Sequence, residues 1–270
     1  MFGAVCGDII GSYFENHVTK NYDFDLFCRE STFTDDTVLT VAVCDAILYN
    51  DKSVNGILEK RQRETEYAYR YKQYYSRYPY SGYGQMFSAW AKEKDLRKQK
   101  SYANGAAMRV IPIAYAYDDI KQVIIQAKCS AIYTHNHPEA IRGAKIIASA
   151  CFLARNKQTK IQIKEYLAST FGLKFDFTID SIRPNYVFDS RTNYTVPVAV
   201  AAFLESYDYE DAIRKAVSLG GDSDTIATMT GGIAEAFYGN VPDYIKSKCW
   251  GLLDSGLRNI INEFRDKYFN

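Results

Sequence analysis

The sequence lacks any strong excess of charge of one sign. Its 33 Lys and Arg residues are balanced by 32 Asp and Glu residues, which gives a formal net charge of +1. Proteins that hold nucleic acid or an anionic membrane surface by broad electrostatic contact carry a basic patch or stripe. The balance therefore disfavours nucleic acid as a partner, and a charged ligand must be met locally by a few residues.

The cysteine and hydropathy patterns of zinc, secreted and membrane proteins are also missing. Six cysteines are dispersed without a C-x-x-C pair, which argues against a zinc site. No uninterrupted apolar segment reaches roughly eighteen residues, and the N-terminus has no basic stretch followed by a long apolar run. We therefore expect a cytoplasmic protein without a membrane partner.

Strand-like alternation is scarce, and there are only six prolines. Apolar side chains instead recur every three to four residues, which is the period of an amphipathic helix. The pattern predicts helices over residues 38–48, 111–116, 120–132, 140–153, 163–171, 196–204, 212–219, 226–237 and 252–264. We expect a compact all-α single domain over residues 1–270. No heptad repeat or large apolar stripe indicates assembly, so we expect a monomer.

Two short acidic clusters lie at opposite ends of the chain. The first is Thr34-Asp35-Asp36-Thr37, and the second is Gly220-Gly221-Asp222-Ser223-Asp224-Thr225. Each precedes an apolar helical run and therefore lies at the start of a helix. Asp and Thr at such positions can cap free backbone N–H groups, which is the simpler interpretation of either cluster alone.

Capping requires only one oxygen at each helix start. Each cluster offers two carboxylates and a hydroxyl, and this concentration of negative charge is costly unless a cation offsets it. Hard divalent cations prefer carboxylate and hydroxyl oxygens as ligands. The two clusters together therefore predict a site for two divalent ions.

The N-terminal segment places small and acidic residues on common helix faces. Gly3, Gly7 and Gly11 are four residues apart, a spacing that lets another backbone approach closely, and we favour tight helix packing as their role. Asp8 and Glu15 are seven residues apart and project from about the same side of a helix. Glu15 is a candidate for the reaction centre, and Asp8 for a buried supporting or capping role.

Two central segments carry candidate ligand contacts. Residues 101–109, SYANGAAMR, form a small-residue loop that enters a helix and can present backbone N–H groups to a phosphate. Residues 134–139, THNHPE, hold two of the three histidines. No third metal ligand is adjacent, so we favour hydrogen bonding to a ligand, or helix capping, for His135 over metal ligation.

The segment 61–83 is rich in tyrosine and arginine, a composition also found where bases stack beside phosphate contacts. Its tyrosines at 67, 71, 74, 75 and 78 fall on one helical face. Because net positive charge is absent, we favour an aromatic core stripe over a nucleic-acid surface.

Five motifs resemble those of the ADP-ribosylglycohydrolase family and occur in the family's order. They are GAVCGDIIGSYFE, FTDDTVLTVAV, SYANGAAMRV, THNHPEA and GGDSDTIATMTGGIAEAFYG. The family includes the dinitrogenase reductase activating glycohydrolase and the ADP-ribosyl-serine and ADP-ribosyl-arginine hydrolases. The resemblance implies an orthogonal helical bundle with two Mg²⁺ or Mn²⁺ ions. It also implies cleavage of the bond between ADP-ribose and an acceptor, which is a protein arginine or serine side chain or a small ADP-ribosyl conjugate.

The resemblance also implies roles for individual residues. The positions that match metal ligands are Thr34, Asp35, Asp36, Asp222, Asp224 and Thr225. The implied catalytic residues are Glu15, Asp36 and Asp222, and the sequence does not decide which of them moves the proton. The implied substrate contacts are Tyr102, Asn104, Gly105 and His135. Ala103 stands where the family usually has glycine, so a positive φ there would be strained.

Two other functions agree with the same residues. Paired Asp sites with two divalent ions also serve phosphoesterases and pyrophosphatases, in which the metals stabilise displacement at phosphorus. A relative that has lost activity would instead be a non-catalytic ADP-ribose-binding protein. The retention of oxygen-bearing side chains at all six presumed ligand positions disfavours that last alternative.

Overall fold

The computed structural model describes residues 1–269 and centres on two antiparallel helices, Phe2–Asn16 (α1) and Ser223–Tyr238 (α12). Their backbones touch where α1 carries glycine. A Cβ atom at Gly7 would lie 2.1 Å from the Ala227 carbonyl oxygen, and one at Gly11 would lie 2.5 Å from the Asp224 Cα. Since neither obstacle is a movable side chain, only glycine permits this approach. The predicted tight helix packing is confirmed.

Twelve further α-helices surround this pair among residues 1–269. They are Asp35–Tyr49 (α2), Ile57–Arg77 (α3), Gln85–Lys92 (α4), Ile111–Ala116 (α5), Ile120–Ala131 (α6), Pro138–Arg155 (α7), Lys160–Phe171 (α8), Ile179–Ile182 (α9), Thr192–Glu205 (α10), Tyr209–Val217 (α11), Asp243–Leu252 (α13) and Ser255–Tyr268 (α14). Two isolated β-bridges, Lys100 with His135 and Ala103 with Arg191, are the only β contacts in the same range. The predicted all-α fold is confirmed.

The core forms around α12, which is covered by α1, α7, α10 and α11. Its apolar residues Ile226, Met229 and Ile233 are fully buried. Helix α2 packs against α3 and α14 and also contacts α1. The two helices that begin with the acidic clusters are therefore both held in the interior, and α1 contacts each of them.

The tyrosine-rich segment belongs to the core, as predicted. Tyr67, Tyr71, Tyr74 and Tyr75 are buried on α3. The face of α3 that meets α6 is anchored by two hydroxyl groups: Tyr67 donates to Gln126 and Tyr71 donates to the Ser130 carbonyl, each at 3.1 Å. These rings are unavailable for stacking on bases.

The structure differs from the sequence prediction near several helix ends, and it contains α4, α9 and α13, which the predicted apolar runs do not cover apart from Leu252. Residues 252–264 form parts of two helices rather than one, because Asp254 breaks the run and accepts hydrogen bonds from the backbone N–H groups of Gly256 and Leu257. Helix α10 begins four residues before the predicted start at 196 and carries Pro197 inside it.

No helix within residues 1–269 is both long enough and apolar enough to cross a bilayer. The last residue of the predicted domain, Asn270, lies outside the described residues. The prediction of a single domain stays a prediction.

Candidate active site

The two acidic clusters meet in space although they are far apart in sequence. Thr34 is the N-cap of α2, and its hydroxyl accepts a hydrogen bond from the Asp36 backbone N–H at 3.2 Å. Asp222 is the N-cap of α12, but its side chain makes no capping hydrogen bond. The Thr225 hydroxyl donates to Asp36 Oδ2 at 3.1 Å and joins the clusters directly. Capping therefore explains one oxygen of α2 and none of the carboxylate oxygens of Asp222.

Helix α1 fixes the start of α2 through Asp8. The buried carboxylate of Asp8 accepts from the Thr34 N–H at 2.9 Å, the Thr37 N–H at 3.0 Å and the Thr34 hydroxyl at 2.7 Å. Two of these three donors are backbone N–H groups that a helix start leaves free. Asp8 thus has the buried capping role that the sequence analysis suggested, and it acts from a different helix.

Five carboxylates gather where these helices meet. One ligand atom from each of Asp8, Asp36 and Asp224 lies within 4.8 Å of the others, and the same holds for Glu15, Asp222 and Asp224. Among the ion pairs within residues 1–269, none joins a lysine or arginine to any of these five groups. Their negative charge is therefore not offset by the protein's own cations.

The electrostatics of the cluster follow from burial and mutual repulsion. Burial raises the pKa of Asp224 well above its ordinary value, and the neighbouring charges of Asp222, Asp36 and Glu15 raise it further. Burial also raises the pKa values of Asp35 and Asp36 strongly, and nearby carboxylates again add to the effect. Such groups either retain protons or require a cation.

A divalent cation fits this cluster. Asp36 Oδ1 is buried without any hydrogen-bond partner in the described chain, so it is an acceptor free to bind a cation. The side chains at the six predicted ligand positions offer only carboxylate and hydroxyl oxygens to a metal. Magnesium and manganese ions prefer oxygen ligands of this kind. All six positions line one cleft.

Asn104 links the central loop to the acidic cluster. Its side-chain amide donates to Asp222 Oδ2 at 2.7 Å, and its backbone N–H donates to the Ser190 carbonyl at 2.8 Å. Burial raises the pKa of Asp222, and the hydrogen bond from the Asn104 side chain lowers it. Asn104 therefore orients one carboxylate and lowers the cost of its charge.

The loop around Asn104 is unstrained. Ala103 has φ −69° and ψ 166°, an extended conformation open to any residue. The strain that a positive φ at Ala103 would cause is absent. The loop then makes a short 3₁₀ turn over Asn104–Ala106 before α5.

The cleft has a volume of about 460 Å³. Asn104, Gly105 and His135, which were predicted to contact the substrate, line it together with Glu15, and their roles stay predictions. Tyr102 does not line it: its ring is 51% exposed and lies 5.8 Å from the ring of His137. The prediction that Tyr102 contacts the substrate thus stays a prediction, with the side chain outside the cleft lining.

Much of the apolar lining of the cleft was not predicted from the sequence. Met86 and Phe87 come from α4, which no periodic pattern predicted, and Phe188 comes from the loop before α10. The only local signal for α4 is an amphipathic pattern, and this pattern extends over just eight residues.

Comparison with known proteins gives consistent results. The family model described as ADP-ribosylglycohydrolase matches residues 1–269. ADP-ribosylhydrolase ARH3 of Homo sapiens is 28% identical, and the match covers 92% of this chain and 87% of that protein. ADP-ribosylarginine hydrolase Tri1 of Pseudomonas putida is 25% identical over 54% of this chain and 42% of its own. A solved structure, described as an ADP-ribosylglycohydrolase-related protein complex, has a TM-score of 0.65. The match covers 93% of this chain and 94% of the chain in that structure at 20% identity, so it supports the fold alone.

Proposed function

The chain belongs to the ADP-ribosylglycohydrolase family, and on that premise we propose that it is a metal-dependent hydrolase that releases ADP-ribose from an acceptor. The acceptor is a protein arginine or serine side chain or a small ADP-ribosyl conjugate. The observation that carries the proposal is the buried cluster of carboxylates from both ends of the chain, at a cleft also lined by Asn104 and His135.

Two Mg²⁺ or Mn²⁺ ions would be held by Thr34, Asp35, Asp36, Asp222, Asp224 and Thr225. When bound, such ions orient hydroxyl groups of a sugar and make a water molecule more acidic at neutral pH. The protein's own contribution is to keep these oxygens in place before a ligand arrives. Asp8 fixes Thr34, Asn104 fixes Asp222, and the Thr225 hydroxyl fixes Asp36.

Glu15 is the group best suited to hold a proton at the reaction centre. It is half-buried and lines the cleft, so it is within reach of a ligand. Burial raises its pKa, and the charges of Asp222 and Asp8 raise it further. A carboxyl group whose pKa is raised toward neutrality can give and take a proton at working pH, as general acid–base catalysis requires.

Two substitutions test the catalytic proposal. Asp36→Asn and Asp222→Asn keep the size of the side chain but remove charge, so we expect turnover to fall by on the order of a hundredfold or more. Asp243→Asn is the matched control, because Asp243 is 90% exposed on α13, outside the cleft lining. The measurement is ADP-ribose release, with circular dichroism to show that each variant is folded.

Product identity separates the proposal from its alternatives. Free ADP-ribose indicates glycosidic cleavage, whereas AMP with ribose phosphate would indicate a pyrophosphatase. Binding of ADP-ribose without turnover of any linkage would indicate a binding protein. Near-normal activity of Asp36→Asn or Asp222→Asn would contradict the roles given to these aspartates.

A further inference from the structure

A second cavity, with a volume of about 660 Å³, lies at the other end of α1 and α12 from the cleft. Phe2 at the start of α1 and Gly239 after the end of α12 line it, whereas Glu15 and Asp224 near the opposite ends line the cleft. The sixteen residues of α12 span roughly 24 Å. Within residues 1–269 no residue lines both the cavity and the cleft, so a ligand of the cavity would not occupy the cleft.

The lining of this cavity is mainly basic, and we call it the basic cavity. It includes two acidic residues, Asp118 and Glu235, and five basic ones: Arg155, Lys157, Lys246, Arg265 and Lys267. The whole chain has a formal net charge of only +1, so this is a local concentration of positive charge. The basic residues come from the end of α7, from α13 and from α14, and the fold brings these segments together.

The two acidic residues offset only part of this charge. The Glu235 carboxylate accepts a hydrogen bond from the Gly3 N–H at 2.8 Å, so it serves the start of α1. Asp118 pairs with Arg155 at 2.5 Å, but the Asp118 side chain is 94% exposed. Because solvent-exposed ion pairs are weak, Arg155 still attracts a further anion.

Lys157 and Arg265 carry the least compensated charge of the lining. Neither forms an ion pair within residues 1–269. Two other lysines of the lining pair with aspartates that lie outside it: Lys246 with Asp243 and Lys267 with Asp51. The basic cavity therefore holds cations whose charge the described chain does not balance.

Lys157 reaches the basic cavity from an unfavourable backbone conformation. Its φ is 61°, and it is the only residue other than glycine with a positive φ within residues 1–269. Its N–H donates to the Ala154 carbonyl at 3.1 Å, and the Gln158 N–H donates to the Leu153 carbonyl at 3.0 Å. These two hydrogen bonds form a Schellman motif at the end of α7, and the left-handed residue of this motif is usually glycine.

Other helices of the same molecule end with the usual residue. Helices α8 and α12 are each followed by a glycine in the left-handed conformation, Gly172 with φ 63° and Gly239 with φ 79°. A side chain at such a position costs free energy of folding, because its Cβ is crowded. What the lysine adds at position 157 is a cation in the basic cavity, and backbone strain of this kind is typical of functional sites.

We propose that the basic cavity binds a polyphosphate group, either inorganic or carried by a nucleotide, at a site distinct from the catalytic cleft. Five cations from three segments surround the space, and a single carboxylate would meet only a few of them. A diphosphate or triphosphate carries several negative charges and many acceptor oxygens. Arginine binds such oxygens through its planar fork, and lysine binds them as a point charge. This inference goes beyond the proposed hydrolase activity and does not depend on it.

The site is tested by calorimetric titration of pyrophosphate into the full-length protein. The protein is first freed of metal and then dialysed free of chelator, because a chelator is itself a polyanion. We expect binding with a dissociation constant below about 1 mM at low ionic strength. Lys157→Gly and Arg265→Gln should each weaken it by roughly threefold or more, since each removes one cation. Lys94→Gln is the matched control, because Lys94 is exposed and lines neither the cavity nor the cleft.

Thermal unfolding separates a ligand role of Lys157 from a structural one. Glycine relieves the left-handed conformation, so Lys157→Gly should raise the midpoint of unfolding by roughly 2 °C while it weakens pyrophosphate binding. A fall in both quantities would overturn the ligand role. Absence of pyrophosphate binding in the wild type, or equal affinity in Lys157→Gly, Arg265→Gln and Lys94→Gln, would overturn the site.

The two sources of the polyphosphate are separated by titrations of ADP and adenosine into the wild type and Lys157→Gly. If ADP binds more tightly than pyrophosphate and Lys157→Gly weakens both, the basic cavity takes a nucleotide. If the two affinities are equal and fall together, the cavity recognises the polyphosphate alone. Adenosine carries no charge, so an adenosine affinity that also falls in Lys157→Gly would overturn the electrostatic basis of the proposal.

Discussion

Thr225 and Asp36 are 189 residues apart in sequence, yet their side chains are 3.1 Å apart in the structure. The sequence predicted that the two acidic clusters act together because each holds more carboxylate oxygen than a helix cap needs. What it did not predict is how Asp8 supports them. Asp8 acts through three hydrogen bonds on another helix, and such a contact leaves no periodic signal in the sequence.

The apolar residues that line the cleft were harder to predict for a similar reason. Phe87 and Phe188 come together only through the packing of distant segments, and neither stands in a motif with a recognisable spacing. Asn104 and His135, in contrast, stand in short segments of unusual composition. Residues with specific chemistry were therefore easier to predict than the side chains that shape the cleft.

The raised pKa values of the cluster predict how stability depends on pH without metal. A folded-state pKa above the unfolded value means that the folded chain binds more protons, so the free energy of unfolding falls as pH rises. For Asp35, Asp36 and Asp224 this loss begins near the unfolded pKa of about 4 and continues until the raised pKa is passed. Saturating Mn²⁺ should remove the loss, because the ions favour the charged carboxylates.

Urea unfolding between pH 4 and pH 8, with chelator or with Mn²⁺, measures this effect. Other carboxylates with lowered pKa values, such as Asp51 and Asp211, contribute the opposite slope. Asp224→Asn isolates the cluster: without metal it should be more stable than the wild type at pH 7, and it should gain less from Mn²⁺. A metal-free wild type as stable as Asp224→Asn at pH 7 would contradict the account.

At the scale of elements, helix α1 is the part on which the site depends most. It approaches α12 through glycine and caps α2 through Asp8, so it sets the distance between the two acidic helix starts. The glycine spacing predicted close packing correctly. It did not predict the partner helix, because small residues show that a backbone comes near but not which one.

The helix predictions were accurate for some elements and not for others. Long apolar runs gave α7 and α12 nearly to their ends, because burial of a continuous stripe dominates their formation. The short helices α4 and α9 have too few turns for a period to be read. The helix predicted over 252–264 begins instead at Ser255, because Asp254 is a favourable N-cap, and the helix before it, α13, was not predicted.

Gly7→Ala tests the role of the α1–α12 contact. Its methyl group would meet the Ala227 backbone, so we expect a loss of roughly 3 kcal/mol in the free energy of unfolding, together with weaker Mn²⁺ binding as α12 shifts. Gly251→Ala is the matched control. It lies exposed in α13 with no atom within 4 Å of the added methyl group, and it should gain about 0.5–1 kcal/mol. The measurement is urea unfolding of both variants, and equal stability of the two would contradict the packing argument.

At the scale of the whole molecule, the cleft draws on residues from both ends of the chain. Glu15 and Asp36 come from its beginning and Asp222 and Asp224 from near its end, and all line one surface. A site built in this way requires both regions to fold together. We therefore propose that residues 1–269 unfold as one cooperative unit, which is the behaviour expected of a single domain.

The two tryptophans report on this proposal independently. Trp90 is fully buried in α4, and the ring of Trp250 in α13 lies 5.5 Å from that of Phe2. Trp250→Phe and Trp90→Phe each leave one fluorescent reporter. With chelator present, the fluorescence transition and the circular dichroism transition of each variant should coincide. Separate transitions within one variant would indicate two units rather than one.

We have proposed that this chain is a metal-dependent hydrolase of ADP-ribosyl linkages. The most direct test of this proposal is the release of free ADP-ribose from arginine-, serine- and O-acetyl-linked substrates in Mg²⁺, in Mn²⁺ and in chelator. We predict release from at least one substrate with a divalent ion, and loss of that release with chelator. Undiminished release in chelator, or release from none of the three substrates with either ion, would contradict the claim.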